Sequence, residues 1–147
     1  MSVKNQLRDD MKQAMRSGDK ARLGVVRMAL AAIQQREVDE RIELDDAGVL
    51  GVIEKMIKQR RESVEQYRAG GRQDLADKES AEIDTLSAYL PEPLGEAELA
   101  ALVDAVVAET GATSMKDMGK VMAELRNRAQ GRADMAALSA QVKTRLG

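Results

Sequence analysis

The chain has 147 residues with 23 basic and 25 acidic side chains, so no overall positive field attracts it to nucleic acid or membrane. The absence of Cys and His excludes disulfides, thiolate chemistry and the commonest general base and metal ligand. With two Tyr and no Phe or Trp, the core must consist of aliphatic side chains and Met.

Apolar residues recur every three to four positions between the breaks in the sequence, which predicts helices throughout. The first predicted helix ends near Gly18, and the second ends in the polar stretch VDERIELDD. Asp45 is the expected N-cap of a long third helix, and Gly70 and Gly71 close it.

The fourth predicted helix is capped near Asp74 and ends at YLPEP, which holds both prolines of the chain. Gly111 ends the fifth helix. The sixth begins at Ser114 with SMKD, which is close to a capping box. Gly131 ends the sixth helix, and Asp134 caps the seventh.

These elements predict an all-α fold, with an N-terminal four-helix region at residues 1–90 and a small three-helix C-terminal domain at residues 91–147. No apolar run approaches the roughly 20 residues that span a bilayer. The first ten residues lack the apolar stretch of a signal peptide. We therefore expect a soluble cytoplasmic protein with no membrane association, and its oligomeric state stays open.

The sequence offers little material for catalysis or metal binding. No Ser stands in a nucleophile motif, and the carboxylates of EVDERIELDD lack the spacing of a calcium loop, which favours a solvated connection. The pair Gly119-Lys120 fails as a phosphate loop because Ser114 and Val121 stand where that motif needs a glycine and a hydroxyl residue. We predict no catalytic residue, no metal site and no cofactor.

Met115, Met118 and Met122 share one face of the sixth predicted helix, and we expect all three to be buried in the core. Gly119 lies among them. The missing Cβ is expected to let a neighbouring helix approach, which would offset a helix penalty of about 1 kcal/mol.

Basic residues concentrate between Ser114 and Arg132, where five of them stand against two acids. The five are Lys116, Lys120, Arg126, Arg128 and Arg132. A second concentration, KMIKQRRESVEQYRAGGR, is interrupted by Glu62 and Glu65 at helical ion-pair spacing. Each stretch is either a phosphate-binding surface or a solvated helix face. With two aromatic residues in the chain, nucleic acid would be held by phosphates and shape, as in a folded RNA.

Three stretches closely resemble the YqeY family, and together they cover nearly the whole chain. They are IEKMIKQRRESVEQYRAGGRQDLADKESAEI, the YLP break, and GATSMKDMGKVM with the later GRADM and LSAQVKTRL. The C-terminal part also resembles the helical tail of the GatB subunit of tRNA-dependent amidotransferases. The G-x-V-M and G-x-A pattern of that tail corresponds here to Gly119, Val121, Met122, Gly131 and Ala133. The resemblance implies an all-helical fold, contact of the tail with tRNA, and association with carbon-nitrogen ligation that uses glutamine as amido nitrogen donor.

The leading hypothesis is an amidotransferase-related accessory module that binds tRNA, or an aminoacyl-tRNA-handling protein, through its C-terminal helices. The five basic residues would contact phosphates, and Gly119 and Gly131 would shape the hairpin that presents them. The alternative is a helical protein-protein interaction module without nucleic-acid binding, which docks a partner or a second copy through its third helix. The docking residues would be Ile53, Met56, Ile57 and Val64. A third hypothesis, glutaminase chemistry by the chain itself, lacks a visible activated nucleophile.

Overall fold

A computed structural model describes residues 2–129 and 132–147. The described residues form helices and no strand, so the predicted all-α fold is confirmed. In chain order the elements are α1 (Val3–Ser17), α2 (Lys20–Glu40), α3 (Asp46–Ala69), α4 (Gln73–Ser87), α5 (Glu96–Thr110), a 3-10 turn (Met115–Asp117), α6 (Met118–Ala129) and α7 (Met135–Leu146).

Most helix ends follow the local signals in the sequence. Gly18 ends α1 and Gly111 ends α5, each in the left-handed conformation that favours glycine, with φ of 72° and 67°. Asp45 caps α3, because its side chain accepts a hydrogen bond from the Gly48 N–H at 2.9 Å. Asp134 caps α7 in a similar way. These four predictions are confirmed.

The fourth helix begins close to Asp74, as predicted, but Asp74 itself is not its cap residue. The helix begins at Gln73, and Arg72 at the cap position provides no side-chain hydrogen bond to the helix. Asp74 lies within the first turn and accepts from the Arg72 guanidinium at 3.1 and 3.2 Å. A carboxylate there still interacts favourably with the helix dipole, so the same acidic residue fits either position in a sequence.

The start of the sixth helix also differs from the prediction. The expected capping box forms, and the Asp117 carboxylate accepts from the N–H groups of Thr113 at 3.0 Å and Ser114 at 3.4 Å. These backbone hydrogen bonds are the main cause of the lowered pKa of Asp117. However, the box opens a 3-10 turn, and α-helical geometry begins only at Met118.

The helices gather into two compact units, Met1–Leu90 with α1 to α4 and Pro91–Gly147 with α5 to α7. In the first unit, Leu7, Ile33, Ile53 and Leu86 bring one fully buried side chain from each helix to a common core. The second unit has its own aliphatic core of buried residues on α5, α6 and α7. The assignment of this second unit as a GatB-tail-like domain stays a prediction.

Polar contacts also fasten the helices of the N-terminal unit to one another. The Tyr89 hydroxyl, after α4, donates to Asp10 on α1, and Asp10 also lies 3.5 Å from the Arg22 guanidinium on α2. Burial and then this hydrogen bond to Asp10 raise the pKa of Tyr89 to about 12. Arg60 on α3 pairs with Glu82 on α4 at 3.0 Å.

The acidic stretch EVDERIELDD begins in the last turn of α2 and continues past the helix end, and it contributes to helix ends and ion pairs. Glu37 pairs with Lys4 at 2.6 Å, and this ammonium group is the main cause of the lowered pKa of Glu37. Asp46 accepts from the Val3 N–H at 3.0 Å. Within residues 2–129 and 132–147, acidic residues form no group of three that could hold a metal ion. In the same part of the chain, no helix combines the length and the apolar character needed to cross a bilayer.

Candidate nucleic-acid interface

One face of α6 belongs to the core of the C-terminal unit. Val121 and Leu125 are fully buried there, and Met118 and Met122 are partly buried against the same core. Met115 is 43% exposed, so the prediction that it is buried is wrong. The physical reason is that Met115 lies in the 3-10 turn, outside the α-helical register that would align it with Met118 and Met122.

The opposite face of α6 and the preceding turn carry Lys116, Gly119, Lys120, Ala123 and Arg126. All five residues are exposed. We call this set the α6 outward face. Its three cations have long side chains. Gly119 and Ala123 lie between them, one helical turn apart, and have no side chain and a single methyl group, respectively. The face therefore combines positive charge with a shallow surface between the cations.

Gly119 has no packing partner on this face. A Cβ built on Gly119 would meet no atom within 4 Å, so the prediction that a neighbouring helix approaches it is wrong. The core residues of α6 lie on the other side of the helix, and contacts with α5 and α7 are made there. The absence of a side chain at Gly119 is therefore not explained by internal packing.

The three cations of the α6 outward face are little engaged. Within the described chain, the side chains of Lys116 and Arg126 make no hydrogen bond or ion pair. Lys120 donates to the Thr110 carbonyl at 3.1 Å, which neutralises no charge. Its ammonium group is also one of the smaller causes of the lowered pKa of Asp117.

Arg128, by contrast, is held between two carboxylates. Its guanidinium contacts Glu124 one turn earlier at 2.8 Å and also donates to Glu109 on α5. These contacts raise the pKa of Arg128 and lower that of Glu109. Arg128 therefore fastens α6 to α5, and its charge is compensated within the unit.

Arg132 links the segment before α5 to the segment before α7. Its Nε donates to the Glu92 carbonyl at 2.9 Å, and its own carbonyl accepts from the Leu94 N–H at 2.7 Å. A terminal nitrogen of its guanidinium lies 3.8 Å from Glu98. The contacts give Arg132 a structural role that the charge count in the sequence did not reveal.

The remaining motif residues lie beside the turn between α6 and α7. Gly131 falls outside the described residues, so its predicted role in shaping the hairpin stays a prediction. Ala133 is partly buried and packs against the core of the C-terminal unit. Together with Val121 and Met122, it belongs to the architecture of the unit.

The surface expected for protein docking on the third helix is not available. Ile53, Met56, Ile57 and Val64 are exposed by 0 to 7% and pack inside the N-terminal unit. The prediction that they dock a partner is wrong, because α3 directs this stripe toward the other helices of its own unit.

Comparison with known proteins identifies the family. A family model described as "Yqey-like protein" matches residues 4–146. The chain is 36% identical over 110 residues to "Altered inheritance of mitochondria protein 41, mitochondrial" of Eremothecium gossypii, which covers 73% of this chain and 60% of that protein. It is 34% identical over 128 residues to the protein of the same name in Pyrenophora tritici-repentis, which covers 84% of this chain and 71% of that protein.

These comparisons bear on the localisation, the matched length and the family of the chain. The names of these relatives contain the word mitochondrial, which contradicts the cytoplasmic localisation predicted from the sequence. The matched part of the chain corresponds to 60% of the length of the Eremothecium protein and 71% of the Pyrenophora protein. Because the family model covers residues 4–146, the resemblance to the YqeY family is confirmed, and the chain belongs to that family.

Proposed function

We propose that the protein binds tRNA through the α6 outward face and acts as an accessory module of the amidotransferase-related type. The observation that carries this proposal is the position of Lys116, Lys120 and Arg126, which are exposed on one face and form no ion pair within the described chain. Unpaired cations on a common surface can bind phosphate oxygens, and each such contact releases counterions from the nucleic acid.

The dimensions of the face suit a sugar-phosphate backbone. From Lys116 to Arg126 the helix and its preceding turn extend about 15 Å, a length over which one strand of a duplex presents several phosphates. Gly119 and Ala123 leave room between the cations for the backbone to come close to the helix. A face of this kind recognises phosphate position and shape, and it needs no stacking aromatic residue.

The proposal reduces the predicted contact set from five residues to three. Arg128 and Arg132 are engaged by Glu124, Glu109 and Glu98, so a phosphate would have to displace carboxylates that already hold their positions. We assign these two arginines to the stability of the C-terminal unit. Their replacement is expected to affect folding more than the salt dependence of tRNA binding.

The test is the affinity for tRNA of Lys116→Glu and Arg126→Glu, measured between about 50 and 200 mM salt. Each variant should weaken binding by about tenfold and reduce the slope of log affinity against log salt by about 0.7 to 0.9. Lys143→Glu is the matched control, because Lys143 is exposed on α7 of the same unit and its side chain forms no ion pair there.

Two outcomes would reject the tRNA proposal. One is the absence of tRNA binding by the wild-type protein at low salt. The other is an equal loss of affinity in Lys143→Glu, which would show that total charge matters and the α6 outward face does not.

The same proposal gives the protein a supporting role in glutamine-dependent carbon-nitrogen ligation, as the family resemblance implies. In such a role the chain holds RNA while a separate enzyme performs the chemistry. An ammonia assay with the purified protein and glutamine tests this part. Ammonia release above the blank would contradict the accessory role and would assign catalysis to the chain itself.

A further inference from the structure

The helix α2 has apolar side chains on two faces. Its inward face contributes four buried residues to the N-terminal core. On the outward side, Met28 is 44% exposed and Val38 is 65% exposed, and Ile42, just beyond the helix end, is 47% exposed. Among the described residues, only Met15 and Met115 are other large apolar side chains with comparable exposure. Two of these five residues therefore lie on the outward side of α2, and a third follows the helix end.

The outward residues of α2 follow heptad spacing, with alternating steps of four and three. They are Gly24, Met28, Ala31, Gln35 and Val38, and all five are exposed. We call them the α2 seam. Ile42 lies beyond the helix end, because the left-handed φ of 55° at Arg41 breaks the helical register before it. Steps of four and three keep side chains along the line where two helices meet, whereas a solvated helix face needs no apolar residue at these positions.

The α2 seam is complementary to itself. A second copy that runs antiparallel and is centred on residue 33 would place Met28 opposite Val38 and Ala31 opposite Gln35. In the inner pair a short side chain meets a long one, which fills space without overlap. The same patch would serve on both subunits, as a twofold interface requires.

The charges of α2 favour this antiparallel direction. The first eight residues, 20–27, carry three basic side chains and no acidic one. The last five, 36–40, carry three acidic side chains and one basic one. Within the unit Arg22 lies 3.5 Å from Asp10, and Glu37 and Glu40 pair with Lys4 and Arg36. Among the described residues of α2, the charges of Lys20, Arg27 and Asp39 remain without an ion pair. An antiparallel pair brings Lys20 and Arg27 of one helix to the half of the other that holds Asp39, and it also opposes the helix dipoles. A parallel pair would place like charges together.

We infer that the α2 seam is the interface of a homodimer, occupied by the antiparallel α2 of a second copy of this chain. Two crossed helices bury less area than the roughly 800 Å² per partner of a standard interface. The dimer is therefore weak and depends on protein concentration. The outward apolar stripe that α2 carries beside its core stripe is explained by this contact.

Sedimentation equilibrium from micromolar to millimolar protein tests the inference. The wild type should show a monomer-dimer equilibrium, and Val38→Glu should weaken dimerisation by at least about tenfold, because the symmetry buries the introduced carboxylate twice. Met15→Glu is the control, since Met15 is 54% exposed on α1 and outside the seam. Far-UV circular dichroism shows whether both variants keep their helices. A wild type that stays monomeric throughout, or an equal effect of both variants, would overturn the inference.

Disulfide trapping tests the orientation, because the chain has no cysteine of its own. Met28→Cys and Val38→Cys are prepared separately, mixed and oxidised. An antiparallel dimer yields the mixed disulfide, whereas identical positions lie about 15 Å apart along the axis and cannot be bridged. Efficient disulfide formation by either variant alone would show a parallel pair and contradict the antiparallel arrangement.

Discussion

Replacing Gly119 with Ala is expected to stabilise the C-terminal unit while leaving its fold unchanged. Gly119 lies within α6, and a Cβ at this position would meet no atom within 4 Å, so the substitution introduces no clash. Alanine removes the entropic penalty of a helical glycine, which is about 0.5 to 1 kcal/mol. In a unit of this size, such a gain raises the thermal midpoint by about 2 to 8 °C.

Thermal unfolding followed by far-UV circular dichroism measures this effect. The reverse substitution one turn later, Ala123→Gly, is the matched control, and it should lower the midpoint by a similar amount because Ala123 is also exposed on α6. A lower midpoint for Gly119→Ala would refute the reasoning, since it would mean that the new methyl group meets an atom the structure does not place there.

The same position separates stability from binding. Gly119→Leu retains good helix propensity but places a bulky side chain between the cations of the α6 outward face. If tRNA comes close to the helix at Gly119, this variant should keep the fold and lose affinity. Wild-type affinity of Gly119→Leu would show that the backbone of the RNA does not approach this part of α6.

Two further predictions concern the core of the C-terminal unit and the partly buried phenol of Tyr89. Leu125→Ala removes a fully buried side chain from the core of the C-terminal unit. The expected cost of about 3 to 5 kcal/mol is comparable with the stability that a small aliphatic core provides. Amide exchange should therefore show α5 to α7 unprotected while α1 to α4 stay protected. Joint loss of protection in both units would contradict it. The pKa of Tyr89 is raised from 10.0 to about 12, so its contribution to the free energy of unfolding is complete below pH 10 and is lost as pH rises toward 12. Tyr89→Phe should show a shallower decline of stability over this range, and parallel pH curves for the two proteins would exclude this role.

The fold was predictable because its boundaries are set by local chemistry. Gly18, Asp45, Gly111 and Asp134 each act within a few residues of their own position, so the sequence alone identifies them. The all-α class follows from the same helical periods. A helix boundary could not be placed to the exact residue where the same residue type is favourable at two neighbouring positions. Asp74 is an example, because a carboxylate suits both the cap and the first turn of a helix.

The candidate site was only partly predictable, since ion pairing depends on residues that are distant in sequence. The pair of Glu124 and Arg128 has the spacing of one helical turn and is visible in the sequence. The partner Glu109, however, lies 19 positions before Arg128 on a different helix. A count of charges along α6 therefore overestimated the free cations. Helix packing was needed to distinguish Arg126 from Arg128.

The protein-docking surface was missed for a related reason. An apolar stripe on a helix looks the same whether it contacts its own core or another molecule, and the stripe with Ile53 and Met56 proved to be core. The sequence did contain a signal for a different surface. On α2, residues at heptad spacing form a second stripe in addition to the one that faces the core. A helix that is apolar on two faces needs two partners, and the N-terminal unit provides one.

The two proposed surfaces belong to different units and share no residue, which makes them separable by experiment. Val38→Glu should leave the tRNA affinity of the monomer unchanged, and Lys116→Glu should leave the dimerisation constant unchanged. If both surfaces are used, each dimer carries two α6 outward faces, and a second contact with the same RNA becomes intramolecular with an increased effective concentration. Apparent tRNA affinity would then rise with protein concentration in the wild type and not in Val38→Glu. An identical concentration dependence in both proteins would mean that dimerisation makes no contribution to RNA binding.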